Sequence, residues 1–154
     1  MIVRDYARGD AGRICRLFFE TVRSVNLADY SEEQVQAWAP ETPDPAIWHE
    51  RMSGRHTLVA EEDGEVAGFI ELEEDGHLDM LYVGKDALGR GVGTQLYEAA
   101  ERRARDLNLD RIFTEASITA RPFFERHGFR VLTRNVVTRH GIELTNFSME
   151  KCLR

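Results

Sequence analysis

The sequence contains little cysteine and no long apolar run, and each of these absences excludes a class of protein. Two cysteines occur among 154 residues, with neither metal-ligand spacing nor a disulfide framework, which fits a reducing compartment. No segment approaches the roughly 20 apolar residues of a membrane-spanning helix, and the N-terminus lacks the apolar core of a signal peptide. We therefore expect a cytoplasmic protein that makes no contact with the membrane.

An excess of basic residues is also missing. Lys and Arg number 20 against 27 Asp and Glu, which gives a formal net charge of −7. Nucleic acids and anionic membranes are bound by dense basic surfaces, so neither partner is expected. The histidines form no HExxH or Cys/His cluster, which argues against a metal site. No Pro/Ser-rich linker divides the chain, so its length predicts a single domain over residues 1–154.

Hydrophobic periodicity predicts the element order βααβββαβαββ. Residues 1–7 alternate as a strand, residues 11–25 have helical spacing, and residues 28–52 form a second helical segment broken by prolines. Residues 56–84 are typical of three strands joined by Asp-Gly turns, an antiparallel meander. The pattern predicts an α+β fold, with a mixed, mostly antiparallel central sheet flanked by helices.

The segment YVGKDALGRGVGTQL, residues 82–96, places four glycines between a predicted strand and a predicted helix. Backbone N–H groups at such a junction favour phosphate. A P-loop does not match, because Arg90 and Gly91 occupy the lysine and hydroxyl positions, and a GxGxxG fingerprint fails at Leu96. The remaining candidate is the pyrophosphate of a ligand such as coenzyme A (CoA), held by the N–H groups of residues 89–94.

LYVGKDALGRGVGTQL resembles motif A of the Gcn5-related N-acetyltransferases (the GNAT family), in which an apolar strand is followed by [QR]-x-x-G-x-[GA] and a helix. Leu88 replaces the usual Gln or Arg. SITARPFFERHGF is similar to the family's N-x-x-A-x-x-x-Y-x-x-x-GF motif, with Ser117 for Asn and Phe124 for Tyr. The segments RSVNLADYSEEQVQAWAP and LTNFSMEK also resemble a bacterial branch typified by YafP-like acetyltransferases. With the predicted element order, the resemblance covers nearly the whole chain.

The resemblance implies an acyltransferase that moves the acetyl group of acetyl-CoA directly to an amine of a small molecule or a peptide, in one ternary complex. A rival interpretation is a non-catalytic module that binds or senses acyl-CoA, since Phe124 cannot protonate the leaving thiolate as the family's tyrosine does. Water, Ser117 or another tyrosine remain alternatives for that proton. The residues implied at the CoA site are Leu81, Tyr82, Val83, Gly89, Arg90, Gly91, Val92, Gly93, Thr94, Ser117 and Phe124.

Candidate catalytic residues lie upstream of motif A. His77 and Asp79 are two residues apart on a predicted strand and so share one face, at positions where relatives carry a base. An unperturbed histidine pKa of about 6.5 suits His77 for that role, with Asp79 attracting the ammonium or orienting the imidazole. Glu71 is a weaker candidate, and with Glu73 it could instead form a solvated acidic edge.

The acceptor pocket is expected to involve Tyr30, Trp38 and Glu73, although aromatic residues at helical spacing also suit the core. The C-terminal strands could pair two copies of the chain as a homodimer.

Overall fold

The computed structural model describes residues 1–154. Its strands and helices follow one another as β1 (Ile2–Asp5), α1 (Ala11–Ser24), α2 (Glu32–Trp38), α3 (Pro45–Ser53), β2 (His56–Glu62), β3 (Glu65–Leu72), β4 (Leu78–Val83), α4 (Val92–Asp106), β5 (Arg111–Ser117), α5 (Arg121–Arg126), β6 (Arg130–Arg139) and β7 (Ile142–Cys152). The predicted α+β class is confirmed. None of these helices combines the length and the apolarity that crossing a membrane requires.

The helical segment that the prolines were expected to divide forms two separate helices, so the observed order has one helix more than the predicted string. Ser31 caps α2 through a capping box, in which Gln34 N donates to Ser31 Oγ (3.1 Å) and Ser31 N donates to Gln34 Oε1 (2.9 Å). Asp44 caps α3, where Pro45 occupies the first turn and needs no N–H partner. Each helix therefore starts on its own local signal.

The strands form two antiparallel sheets, β1-β2-β3-β4 and β5-β7-β6, instead of one continuous sheet. A single parallel bridge between His77 and Phe113 joins them, with Phe113 N donating to Gly76 O at 3.1 Å. Beyond this bridge, Thr114 Oγ1 donates to Leu78 O (2.8 Å), and β4 and β5 then diverge. The divergence leaves an opening in the middle of the layer of strands.

Apolar clusters cover both faces of the strands. One cluster packs α4 and α5 on one face and includes Leu96, Tyr97 and Phe124. The other packs the first three helices on the opposite face and includes Phe18, Tyr30 and Phe69. The opening between β4 and β5 therefore lies between two well-packed layers and is held in place from both sides.

Candidate active site

The loop before α4 presents backbone N–H groups to an open surface. Gly89 and Gly91 have φ angles of +76° and +79°, which L side chains rarely adopt, and a Cβ at either position would meet nothing within 4 Å. The N–H groups of residues 88–94 have no acceptor within the chain, and the first helical bond runs from Gln95 N to Gly91 O (3.1 Å). No acidic residue lies in the first turn of α4. This array of N–H groups at a positive helix end fits the diphosphate of CoA.

β4, which precedes this loop, offers two further N–H groups. Gly84 N donates to Ala67 O (2.9 Å), which fixes the phase of the ladder between β3 and β4. Because antiparallel pairs alternate in hydrogen bonding, the N–H of Tyr82 pairs with β3, whereas those of Leu81 and Val83 point to the opening beside β5. Leu81 N and Val83 N are therefore the main-chain donors of β4 that are free to bind a carbonyl oxygen at the opening.

The divergence of β4 and β5 creates two adjoining cavities. A slot of about 60 Å³ reaches Ala120 and Phe124 on the α5 side. A cavity of about 300 Å³ reaches Phe18 and Tyr30 on the α1 side. The residues that line both are Trp38, Asp79, Met80, Tyr82, Glu115 and Ser117. Two molecules that approach from opposite faces can therefore meet at the opening.

His77 lies at the start of this opening between two carboxylates. Its Nδ1 is 2.7 Å from Glu73 Oε1 and its Nε2 is 2.7 Å from Glu115 Oε1, while the ring stacks on Phe113 at 5.0 Å. Burial lowers the pKa of His77, but the hydrogen bonds to Glu73 and Glu115 outweigh it and raise the pKa above its ordinary value. Both ring nitrogens are engaged by carboxylates, which favours the protonated form of the ring.

Asp79 sits at a β-bulge, where Glu71 pairs with Met80 and Leu72 pairs with Leu78. A bulge re-aims side chains, and here Asp79 Oδ2 accepts from Arg55 Nη1 (2.9 Å) and Arg51 Nη2 (3.2 Å). Asp79 lines both cavities, as a site residue should, but it makes no hydrogen bond to His77. The carboxylates of Glu73 and Glu115 orient the imidazole instead.

Glu71 and Glu73 lie close to the opening without lining either cavity. Glu71 is fully buried and accepts from Arg55 Nη1 and from Arg51 Nε (3.2 Å) and Nη2 (3.0 Å). Its buried carboxylate is paired with two guanidinium groups, so the solvated-edge interpretation is wrong for Glu71. Glu73 contacts His77 and does not line the cavity in which the acceptor is expected.

The two aromatic residues expected in the acceptor pocket do line the 300 Å³ cavity. The Tyr30 hydroxyl donates to Thr145 O (2.6 Å) and accepts from Ile118 N (2.9 Å). The Trp38 ring packs edge-on against Tyr30 at 5.3 Å. Tyr30 thereby ties its segment to β7 and forms one wall of the cavity.

The remaining sequence-predicted residues are spread between the loop and the slot. Ser117 Oγ accepts from Ala120 N (3.0 Å), and Phe124 is 3% exposed and packs on Phe129 at 5.0 Å. Arg90 is paired with Glu62 (2.8 Å), and the side chain of Val92 is buried. Gly93 and Thr94 lie in the first turn of α4 with the other unpaired N–H groups. The positions of these residues are compatible with a CoA site along the loop and the slot.

Sequence reasoning missed Glu115, Arg51, Arg55 and Arg139. Alternation along β5 could have placed Glu115 on the same face as Phe113 and Ser117, but its contact with His77 depends on how β4 and β5 meet. The arginines come from α3, the residues after it and β6, and no short-range pattern links them to β4.

A family model described as an acetyltransferase (GNAT) domain matches residues 26–151. The chain belongs to the GNAT acetyltransferase family. It is similar to the uncharacterized N-acetyltransferase YafP of Escherichia coli (strain K12), at 34% identity over 147 residues, which cover 96% of this chain and 93% of that protein. The predicted family, its YafP-like branch and the acyltransferase class are thereby confirmed.

Solved structures with this GNAT fold include close and distant neighbours. A GCN5-related N-acetyltransferase from Rhodopseudomonas palustris, described as an aminotransferase, class-II, has a TM-score of 0.93 and 38% identity, covering 99% of this chain and 95% of that one. The PaiA N-acetyltransferase from Thermoplasma acidophilum, crystallised with coenzyme A, has a TM-score of 0.79 and 21% identity, with 98% of each chain covered.

Proposed function

We propose that residues 1–154 act as one acetyltransferase domain, which transfers an acetyl group from acetyl-CoA directly to a primary amine of a small molecule or peptide. One observation carries this proposal: the slot and the 300 Å³ cavity adjoin where β4 and β5 diverge, beside the N–H groups of the glycine loop. Acetyl-CoA is the cosubstrate and supplies an activated acetyl thioester at this opening. The amine would occupy the larger cavity, on the opposite face of the strands.

The protein's contribution on the donor side is made by its main chain. The N–H groups of residues 89–94 would hold the diphosphate, where the positive end of α4 favours negative charge. The N–H groups of Leu81 and Val83 would stabilise the carbonyl oxygen as it gains negative charge, because fixed donors in a dry slot need no reorganisation. Side chains at these positions face the core and would set the width of the slot.

The proton of the attacking amine needs an acceptor that lines both cavities. Glu115 lines both, is exposed, and has its Oε1 fixed by His77. We assign Glu115 as the carboxylate that accepts the proton, directly or through a water. His77 positions that carboxylate, and Asp79, held by Arg51 and Arg55, adds negative potential that attracts the ammonium form of the amine.

A non-catalytic acyl-CoA-binding module is the second candidate, and one observation favours it. Phe124 stands at the position of the family's tyrosine, is buried among Phe123 and Phe129, and carries no proton that could be given to a thiolate. A thiol with a pKa of about 8.5 leaves readily as its thiolate without such help, so the absence of a proton donor at Phe124 does not exclude catalysis.

Thiol release from acetyl-CoA, followed with a panel of primary amines, tests the proposal. At least one amine is expected to raise the rate of thiol release well above hydrolysis, with acetylated amine as the product. Thermal shift with CoA and with Mg-ATP provides the binding control, because only a ligand of the native state raises the melting temperature. Stabilisation by CoA without turnover of any amine would establish the binding module. Stabilisation by Mg-ATP alone would overturn both candidates.

A further inference from the structure

The 300 Å³ cavity carries opposite charges on different strands. Asp79 and Glu115 line it from β4 and β5, and Arg139 lines it from β6 as the only cation. Arg139 forms no ion pair, and its sole side-chain hydrogen bond is a 3.3 Å contact from Nη1 to the neighbouring Thr138 O. A guanidinium without a carboxylate partner, at the wall of a cavity, is available to a ligand.

The register of β6 explains why Arg139 faces the cavity. Val137 and Arg139 are two residues apart and so project from the same face of the strand, and both line the cavity. The turn beyond them is tied to α2, since His140 Nδ1 lies 2.9 Å from Ala37 O. Arg139 is therefore presented from a strand whose end is anchored.

Arg139 lies far from the acidic residues of the cavity, Asp79 and Glu115. β6 is two strands from β5 in the order β5-β7-β6, which corresponds to about 10 Å at ordinary strand spacing. Ser117 of β5 and Asn135 of β6 lie at the same level of the sheet, because both pair with the same residue of β7. Arg139 lies four residues beyond Asn135 along β6, about 13 Å at an ordinary rise per residue. Even with long side chains reaching inward, the positive and negative groups cannot bind one small functional group together.

Aromatic rings form the wall of the cavity. Phe18 packs edge-on against Tyr82 with ring centroids 5.0 Å apart, and Tyr30 packs against Trp38 at 5.3 Å. The volume of about 300 Å³ lies at the low end of the usual range for small-molecule sites, about 300–1,000 Å³. These features favour a small, apolar or aromatic body over an extended peptide.

We propose that the acceptor is a small ω-amino carboxylic acid, in which an apolar or aromatic spacer separates the primary amine from a carboxylate bound by Arg139. Arg139 can bind that carboxylate in a bidentate arrangement, while the amine lies at the opening beside Glu115 and Asp79. The inference rests on the proposed function, since it names the substrate class of the same site. It also sets the direction of binding, with the carboxylate towards β6 and the amine towards the slot.

An isosteric pair of amines tests this inference. 4-(Aminomethyl)benzoate and 4-(aminomethyl)benzamide share the same amine and nearly the same shape, and they differ in the charge that Arg139 would recognise. We expect kcat/KM for the acid to exceed that for the amide by about tenfold or more, as a charge-assisted hydrogen bond allows. Phenylalanine, whose two charged groups are adjacent, should be a poor acceptor.

Arg139→Gln should bring the acid-to-amide ratio close to one, and Arg139→Lys should retain part of the preference. Arg134→Gln is the matched control, because Arg134 lies on the same strand without lining the cavity and should keep the wild-type ratio. A CoA-induced thermal shift confirms that each variant is folded.

The outcomes separate this inference from the function beneath it. Equal rates for acid and amide in the wild-type enzyme, or an acid preference that survives in Arg139→Gln, would overturn the substrate class while acetyl transfer stands. Absence of thiol release with every amine, the amide included, would remove the proposed function and the inference together.

Discussion

His77 Nε2 and Glu115 Oε1 lie 2.7 Å apart, across the point where β4 and β5 share their single backbone bridge. The pair adds a charged contact to a junction that is otherwise held by few hydrogen bonds. It also fixes the Glu115 carboxylate, which lines both cavities. The same contact therefore links the two strands and orients the proposed proton acceptor.

Glu115→Gln is expected to lower kcat/KM about 10²-fold, because a positioned proton acceptor typically contributes that much or more. The amide still accepts a hydrogen bond from His77, so the fold and the CoA-induced thermal shift should be retained. Steady-state thiol release at varied amine concentration provides the measurement. Glu125→Gln, on the exposed face of α5, is the control. Wild-type kinetics in Glu115→Gln would exclude this residue as the base.

Gly91→Ala should weaken CoA binding at least tenfold and destabilise the protein by about 1 kcal/mol, because a Cβ is strained at positive φ and would face the ligand. Gly141 provides a matched control, with a φ of +78° and equally open space around its Cα, but in the turn between β6 and β7. Gly141→Ala should show the same loss of stability and unchanged CoA affinity by calorimetry. Equal CoA affinity in both variants would mean that the diphosphate does not bind this loop.

His77→Gln should destabilise the protein more at pH 6 than at pH 9. The folded-state pKa of His77 is raised, so its ion pairs stabilise the native state fully below the unfolded pKa, about 6.5, and are lost as pH rises through the folded value. Two partly exposed pairs are worth about 1 kcal/mol in total. Urea unfolding of wild type and variant at the two pH values measures the difference. A larger deficit at pH 9 would contradict the raised pKa of His77.

Glu71→Gln is expected to lower the free energy of unfolding by about 2 kcal/mol, because two arginines lose the buried carboxylate that they share. The control is Glu143→Gln on β7, because Glu143 is exposed and forms no ion pair. Chemical denaturation compares the two. If Glu71→Gln is as stable as wild type, the ion pairs with Arg51 and Arg55 contribute no more to the free energy of unfolding than exposed ion pairs do.

Local signals in the sequence were sufficient for most of the fold and for the conformation of the glycine loop before α4. The capping box at Ser31, the Asp-Gly turns and the glycine spacing before α4 each depend on residues close in sequence, so they could be interpreted without tertiary information. Gly91 illustrates this, because its left-handed conformation and its place before a helix are both local properties.

The acceptor side could not be predicted in the same way. The bulge at Asp79 and the clamp on His77 depend on how β3, β4 and β5 meet, and no pattern within one strand encodes that register. The sequence placed His77 and Asp79 near one another correctly, but their partners came from α3 and β5. The contacts of these two side chains therefore depend largely on charged residues distant in sequence.

The proposed recognition of the donor through main-chain amides would make its affinity independent of side-chain identity at most loop positions. Leu88 can thus replace the family's Gln or Arg without removing a binding group, and Arg90 is free to pair with Glu62. Substitutions at these two positions should alter surface charge and solubility and leave the affinity for CoA unchanged. Leu88 and Arg90 are therefore suitable positions at which to attach a probe or tether.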